Sequence, residues 1–180
     1  MSSVRAFRQK LSAISRLWEQ EDYDSALAKV EELLKTWPGN SHLHVLWASL
    51  VQLQQKSTHE LDEAKQALHR AIELDSDSPE AAIELGHFLD AVEDNPDAAV
   101  NAYSEGIAAA HHLLIDGLIG QAKAFLQLNR REDALHCLSE VIQLLPFASA
   151  SDGVIDTQSK SPLTSQLDEL LSDVFASRSA

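Results

Sequence analysis

Eight histidines and a single cysteine are the side chains best able to do chemistry in this 180-residue chain. A zinc site needs several His, Cys or carboxylate ligands that converge, and two ligands on one helix share a face when they stand four residues apart. His42 and His44 are two apart and diverge around a helix, and the neighbours His111 and His112 diverge too. His136-Cys137 has no second Cys–His pair at ligand spacing. We therefore expect no metal and no cofactor. The acidic pairs Glu31-Glu32, Glu60 with Glu63, and Asp168-Glu169 have the chemistry for acid–base catalysis. On exposed helix faces such residues more often pair with neighbours or stay solvated. There is no glycine-rich phosphate loop and no nucleophile elbow. Cys137 has no partner for an intrachain disulfide and sits inside a helical phrase, where it reads as a small buried apolar residue. The sequence predicts no catalytic residues and no enzyme.

What the chain does repeat is that helical phrase. It reads DSALAKVEELL from Asp24, DEAKQALHRAI from Asp62, DAAVNAYSEGI from Asp97 and EDALHCLSEVI from Glu132. Ala26, Ala64, Ala99 and Ala134 form one column, at intervals of 38, 35 and 35 residues. Such a period marks an array of helical repeats, each burying its apolar face against the next. Within a phrase, small and large residues alternate on one face, as in Ala26, Val30, Leu33 and Leu34 or Ala99, Tyr103, Gly106 and Ile107. A second amphipathic stretch precedes each phrase: Leu11, Ile14 and Leu17; Leu43, Leu46, Trp47 and Leu50; Ala82, Leu85 and Leu89; Leu118, Ala122 and Phe125. Ser78-Pro79 and Asn95-Pro96 read as N-caps followed by proline in the first turn. Asn129 with Glu132 reads as a capping box. Residues 54–59 make a longer turn than the other pairs have, which accounts for the longer first interval.

These signals predict an array over residues 1–147, with helix pairs at about 5–40, 41–78, 79–114 and 115–147. Residues 148–161, rich in Ser, Asp and Gly, read as a flexible linker. Residues 162–177 form a last amphipathic helix carrying Leu163, Leu167, Leu170, Leu171, Val174 and Phe175. Its default role is to cap the array.

The balance of 14 basic against 28 acidic residues gives a net charge of −14. That argues against nucleic acid and against an anionic membrane, and it favours a neutral or basic partner. No run is long enough to span a bilayer, so no membrane insertion is expected, and the N-terminal segment is amphipathic and not signal-like. A reduced, cytoplasmic protein is the expectation.

Over residues 5–147 the chain resembles the tetratricopeptide repeat (TPR) family. The small residue midway along the first helix of each pair is matched by Ala48, Gly86 and Ala122, with Ile14 departing. The bulky residue three positions on is matched by Leu17, Val51, Leu89 and Phe125, and the repeat alanine by the column above. Tyr23 matches the aromatic residue before the second helix, and Pro38 and Pro146 match the closing proline. The resemblance implies an all-α, right-handed superhelical solenoid of four helix pairs plus the C-terminal capping helix. It also implies a concave groove that binds a protein or peptide partner. Carried over by position, the peptide-binding residues are Arg8, Leu11, Ser15 and Trp18; His42, Val45, Ser49 and Gln52; Glu80, Ile83, His87 and Asp90; and Asp116, Ile119, Lys123 and Leu126. The basic clamp with which one branch of the family grips chaperone tails is absent, since Leu11, Ser15, Ser49, Ile83 and His87 hold those positions. The resemblance thus implies a non-enzymatic adaptor for an apolar peptide or amphipathic helix, with a small holding chaperone for a hydrophobic client as the alternative. The tail helix has two further destinations, the groove itself or a second copy, the latter giving a homodimer.

Overall fold

The computed structural model describes residues 2–149 and 162–176, and among these every regular element is an α-helix. The helices are α1 (Ser2–Glu19), α2 (Tyr23–Thr36), α3 (Ser41–Leu53), α4 (Leu61–Leu74), α5 (Pro79–Ala91), α6 (Pro96–Gln127), α7 (Arg131–Ser149) and α8 (Pro162–Ala176). Residues 150–161, most of the expected linker, lie outside the described residues, while Ala148 and Ser149 belong to α7. No described helix is long and apolar enough to cross a membrane.

Local chemistry sets the helix starts. Asp22 accepts a hydrogen bond from Ser25 N at 3.2 Å, Asn40 one from Leu43 N at 3.0 Å, and Asn95 one from Ala98 N at 3.2 Å. Each satisfies an N–H that the first helical turn leaves open. Pro79 and Pro96 open α5 and α6, where a missing N–H costs nothing. Glu21, Asp94 and Asn129 share a second device. Each has positive φ (59°, 50° and 57°) and stands two residues before the next helix. One left-handed residue thus reverses the chain in three of the four turns within pairs. This corrects the capping box expected at Asn129: α7 starts at Arg131, and Asn129 is the left-handed turn residue.

The chain divides into two compact units, Met1–Gly106 and Ile107–Ala180. In the first, α2 packs on α1 and α3, and α3 also meets α4 and α5. The column alanines Ala26, Ala64 and Ala99 are 0–2% exposed and sit in one core with Leu33, Leu43 and Phe88. In the second unit Ala134 lines up with Ile115, Ala122, Leu138 and Val141. Helix α8 lies against α7 and places Leu167 and Leu170 in that same core, so it caps the pair. Among the described residues no polar or charged side chain is buried.

One boundary differs from expectation. Where the sequence divides pairs at 114/115, α6 continues without a break for 32 residues. His111 occupies the position of Pro38, which follows the end of α2, and of Pro146, which lies within α7 and does not close it as expected; the run AlaAlaAla at 108–110 favours helix. Nothing there forces a turn.

The long turn at 54–60 is an ordered clasp. Gln54 accepts from Thr58 N, Thr58 Oγ1 and His59 N, and its amide donates to His59 O. Asp24 on α2 accepts from Gln55 N and Lys56 N. His59 completes the clasp. Its Nε2 is 2.7 Å from Glu31 of α2, its Nδ1 is 2.9 Å from Glu63 of α4, and its ring stands edge-on to Trp47 at 4.9 Å. A carboxylate only accepts, so a carboxylate at each ring nitrogen favours the doubly protonated, cationic imidazole. Burial opposes that charge, but the hydrogen bonds to Glu63 and Glu31 outweigh it and raise the His59 pKa above its ordinary value. A raised native pKa stabilises the fold fully below the unfolded value of about 6.5 and loses that contribution as pH climbs through the native value. Wild type should therefore lose its stability advantage over His59→Gln as pH rises above about 6.5. Urea midpoints for both proteins, taken from mildly acidic to mildly alkaline pH, measure this. Parallel curves would show that His59 is not the titrating clasp.

Candidate peptide-binding cleft

The first unit holds a cleft of about 470 Å³ between α1 and α3. From α1 come Leu11, Ile14, Ser15, Trp18 and Glu19, and from α3 come His42 and Leu46. The α1 residues recur every three or four positions, so one helix face supplies that wall. Ile14, 2% exposed, forms the floor. It is also the large residue at a column that elsewhere is Ala48, Gly86 or Ala122, small enough to let helices close up. Leu11, Trp18 and Leu46 are half-buried, so each keeps apolar surface in the cleft. The Trp18 ring is held edge-on by Tyr23, with centroids 6.0 Å apart. His42 Nδ1 meets both oxygens of Glu80, at 2.9 and 3.1 Å, which ties the α3 rim to α5.

The structure thus gathers four of the expected groove residues, Leu11, Ser15, Trp18 and His42, and adds Ile14, Glu19 and Leu46. The others separate. Val45 is 4% exposed and belongs to the core, because α3 is flanked by α2, α4 and α5 and its apolar side chains are taken up in packing. Ile83 packs on α6 beside Gly106. Ser49 Oγ donates to Val45 O and Gln52 Nε2 to Ala48 O, so both are satisfied within α3. His87 Nδ1 lies 2.8 Å from the Tyr103 hydroxyl, and Arg8 and Asp90 are exposed. In the second unit Ile119 is 4% exposed and forms core, Leu126 is half-buried, and Asp116 and Lys123 are exposed. Val45 lies on α3, which α2, α4 and α5 flank, and Ile119 lies in the core of the second unit, so the positional carry-over fails at both. An apolar residue on a helix with neighbours on several sides is claimed by the core before any ligand.

Among the described residues no group of three or more His, Cys, Asp or Glu could hold a metal ion. Cys137 is buried, and its Sγ donates to Gln121 Oε1 at 3.4 Å. Burial, then the nearby Glu140 and Asp133, raise its pKa, which keeps it a thiol and not a nucleophilic thiolate.

Capped helix pairs with a left-handed turn, a buried alanine column and an open apolar cleft define a helical-repeat protein. No protein-family model matches the chain. It is 35% identical over 103 residues to the uncharacterized 18.1 kDa protein in the carS 3′ region of Myxococcus xanthus. That match takes in 52% of this chain and 61% of the relative, so the chain spans about six tenths of the relative's length. Two crystal structures of MamA align at TM-scores of 0.46 and 0.45, each at 16% identity. They cover 96% and 92% of this chain and 91% and 94% of theirs. Likeness of that degree adds nothing to what the helix pairs themselves display.

Proposed function

We propose that this protein is a non-enzymatic interaction module that holds a peptide or helix of a partner protein in the α1–α3 cleft. The observation that carries this reading is the cleft's composition. Leu11, Trp18 and Leu46 present apolar surface that the protein's own core leaves uncovered, between two helices that fix its width. Such grooves take amphipathic helices or extended segments through a few spaced anchors. A volume of about 470 Å³ suits one or two anchor side chains. It favours a defined segment over the extended unfolded client of a holding chaperone.

The test uses short random peptides displayed and selected on the full chain. Half-buried aromatic residues dominate such interfaces, and losing one costs about 2 kcal/mol or more. Trp18→Ala and Leu11→Asp should each weaken the selected peptides by more than tenfold while circular dichroism stays unchanged. Binding that ignores both substitutions would sink the reading.

A further inference from the structure

The whole-chain charge hides a local one. Four of the 14 basic residues, Arg5, Arg8, Lys10 and Arg16, fall in the 18-residue helix α1, whose one acid is Glu19. Helix α3 has no Asp, Glu, Lys or Arg at all, and α5 carries Glu80, Glu84 and Asp90 with no base. The helices that follow one another as first members of their pairs thus run from basic through neutral to acidic.

On α1, Lys10 is neutralised by Glu32 of α2 at 2.8 Å. Arg5, Arg8 and Arg16 are exposed, and among the described residues none of the three forms an ion pair. With Ser12 they fall at i, i+3, i+7 and i+11, a single stripe along the helix. Arg8 and Ser15 are seven residues apart, so the stripe borders the face that lines the cleft. Charges farther than about 8 Å are screened at physiological salt, so a ligand in the cleft senses this stripe, together with Glu19 in the wall and Glu80 paired to His42 at the rim, more than the rest of the acidic surface.

We infer that the occupant of the α1–α3 cleft is a protein segment whose apolar anchor is flanked by acidic residues that pair with Arg5, Arg8 and Arg16. This rests on the cleft reading above and reverses the expectation drawn from net charge. Arg5 and Arg8 stand in the first half of α1, whereas Arg16 is in its last turn, three residues before Glu19, so the greater part of the acidic flank lies toward Arg5 and Arg8. Arginine suits the task, because its planar fork holds carboxylates with two parallel hydrogen bonds.

The test starts from the strongest peptide selected on the full chain, made in versions with its flanks as Glu, Gln or Lys. Fluorescence anisotropy should rank Glu above Gln above Lys, with about tenfold, or roughly 1.4 kcal/mol, between neighbours. The Glu advantage should shrink as salt rises. The triple variant Arg5→Glu, Arg8→Glu, Arg16→Glu should invert the ranking and melt as wild type does, since the stripe makes no internal pair. Equal affinities, or Lys ranking first, overturn the acidic-segment inference. If Trp18→Ala still abolishes binding in that case, the cleft reading stands. If Trp18→Ala has no effect on any version, both fail together.

Discussion

Phe88→Ala should destabilise the first helical unit by about 3–5 kcal/mol, more than any other single truncation we propose. Phe88 is 1% exposed and is the largest of the fully buried side chains. It lies on α5, in the same core as Leu43, Leu50 and Leu68 of α3 and α4. Removing the ring loses its transfer free energy and leaves a cavity that three packed helices close only in part. Domains of this size are stable by about 5–15 kcal/mol, so the loss is a large fraction of the total. A urea titration of the first unit's unfolding should show the midpoint falling sharply. A shift equivalent to less than about 1 kcal/mol would mean that the α5 core collapses around the gap, and that Phe88 is not its keystone.

Phe88 also marks where periodicity stops being informative. The sequence identifies the α5 face made by Ala82, Leu85 and Leu89, and all three are buried. Phe88 follows Leu85 at i+3 and Ala81 at i+7, so it lies at the edge of that stripe and widens it past Leu89 toward a second neighbour. It is buried because α5 has neighbours on more than one side, and the number of neighbours is a tertiary fact. The same cause removed Val45, on α3, from the groove. The repeat itself was legible, because each phrase has to rebuild the same local contacts: the alanine column, the prolines that open α5 and α6, and the side-chain cap at Asn95, whereas Ser78, also read as a cap, makes no side-chain cap bond and the caps at Asp22 and Asn40 emerged only in the structure. The continuity of α6 was legible only as an omission, with His111 in place of the Pro38 that follows α2, and that signal is weak, since Pro146 at the same position lies within α7. The cleft was half legible. Leu11, Ser15 and Trp18 were reached by position through the family resemblance, but Leu46 and Glu19 complete the walls only once α1 and α3 are placed side by side. Ile14 was visible as a departure from the small-residue column, and its consequence, a floor for the cleft, needed the geometry.

The second large effect should come from adding a single methyl group. A Cβ on Gly86 would lie 2.6 Å from Cδ1 and Cε1 of Tyr103 and 2.9 Å from its Cγ. These are ring atoms next to the backbone of α6, not the far end of a flexible chain. The ring is also held by His87, the next residue on α5, with the Tyr103 hydroxyl 2.8 Å from His87 Nδ1 and the two rings edge-on at 5.3 Å. Gly106 repeats the arrangement from the opposite helix, since a Cβ there would lie 2.6 Å from Ile83 Cγ1 and 3.2 Å from Pro79 O. The crossing of α5 with the start of α6 is thus built on two missing side chains. Gly86→Ala should cost about 1–3 kcal/mol through overpacking. That exceeds the gain of up to about 1 kcal/mol that alanine brings to a helix interior. The sign should change when the ring is removed. In a Tyr103→Ala background the clash is gone and only the helix propensity remains, so Gly86→Ala becomes neutral or stabilising. A double-mutant cycle by urea denaturation measures this, with an expected coupling of about 1–3 kcal/mol. If Gly86→Ala were equally costly in both backgrounds, the ring would not be what excludes a side chain from position 86, and the close approach of the two helices would need another explanation.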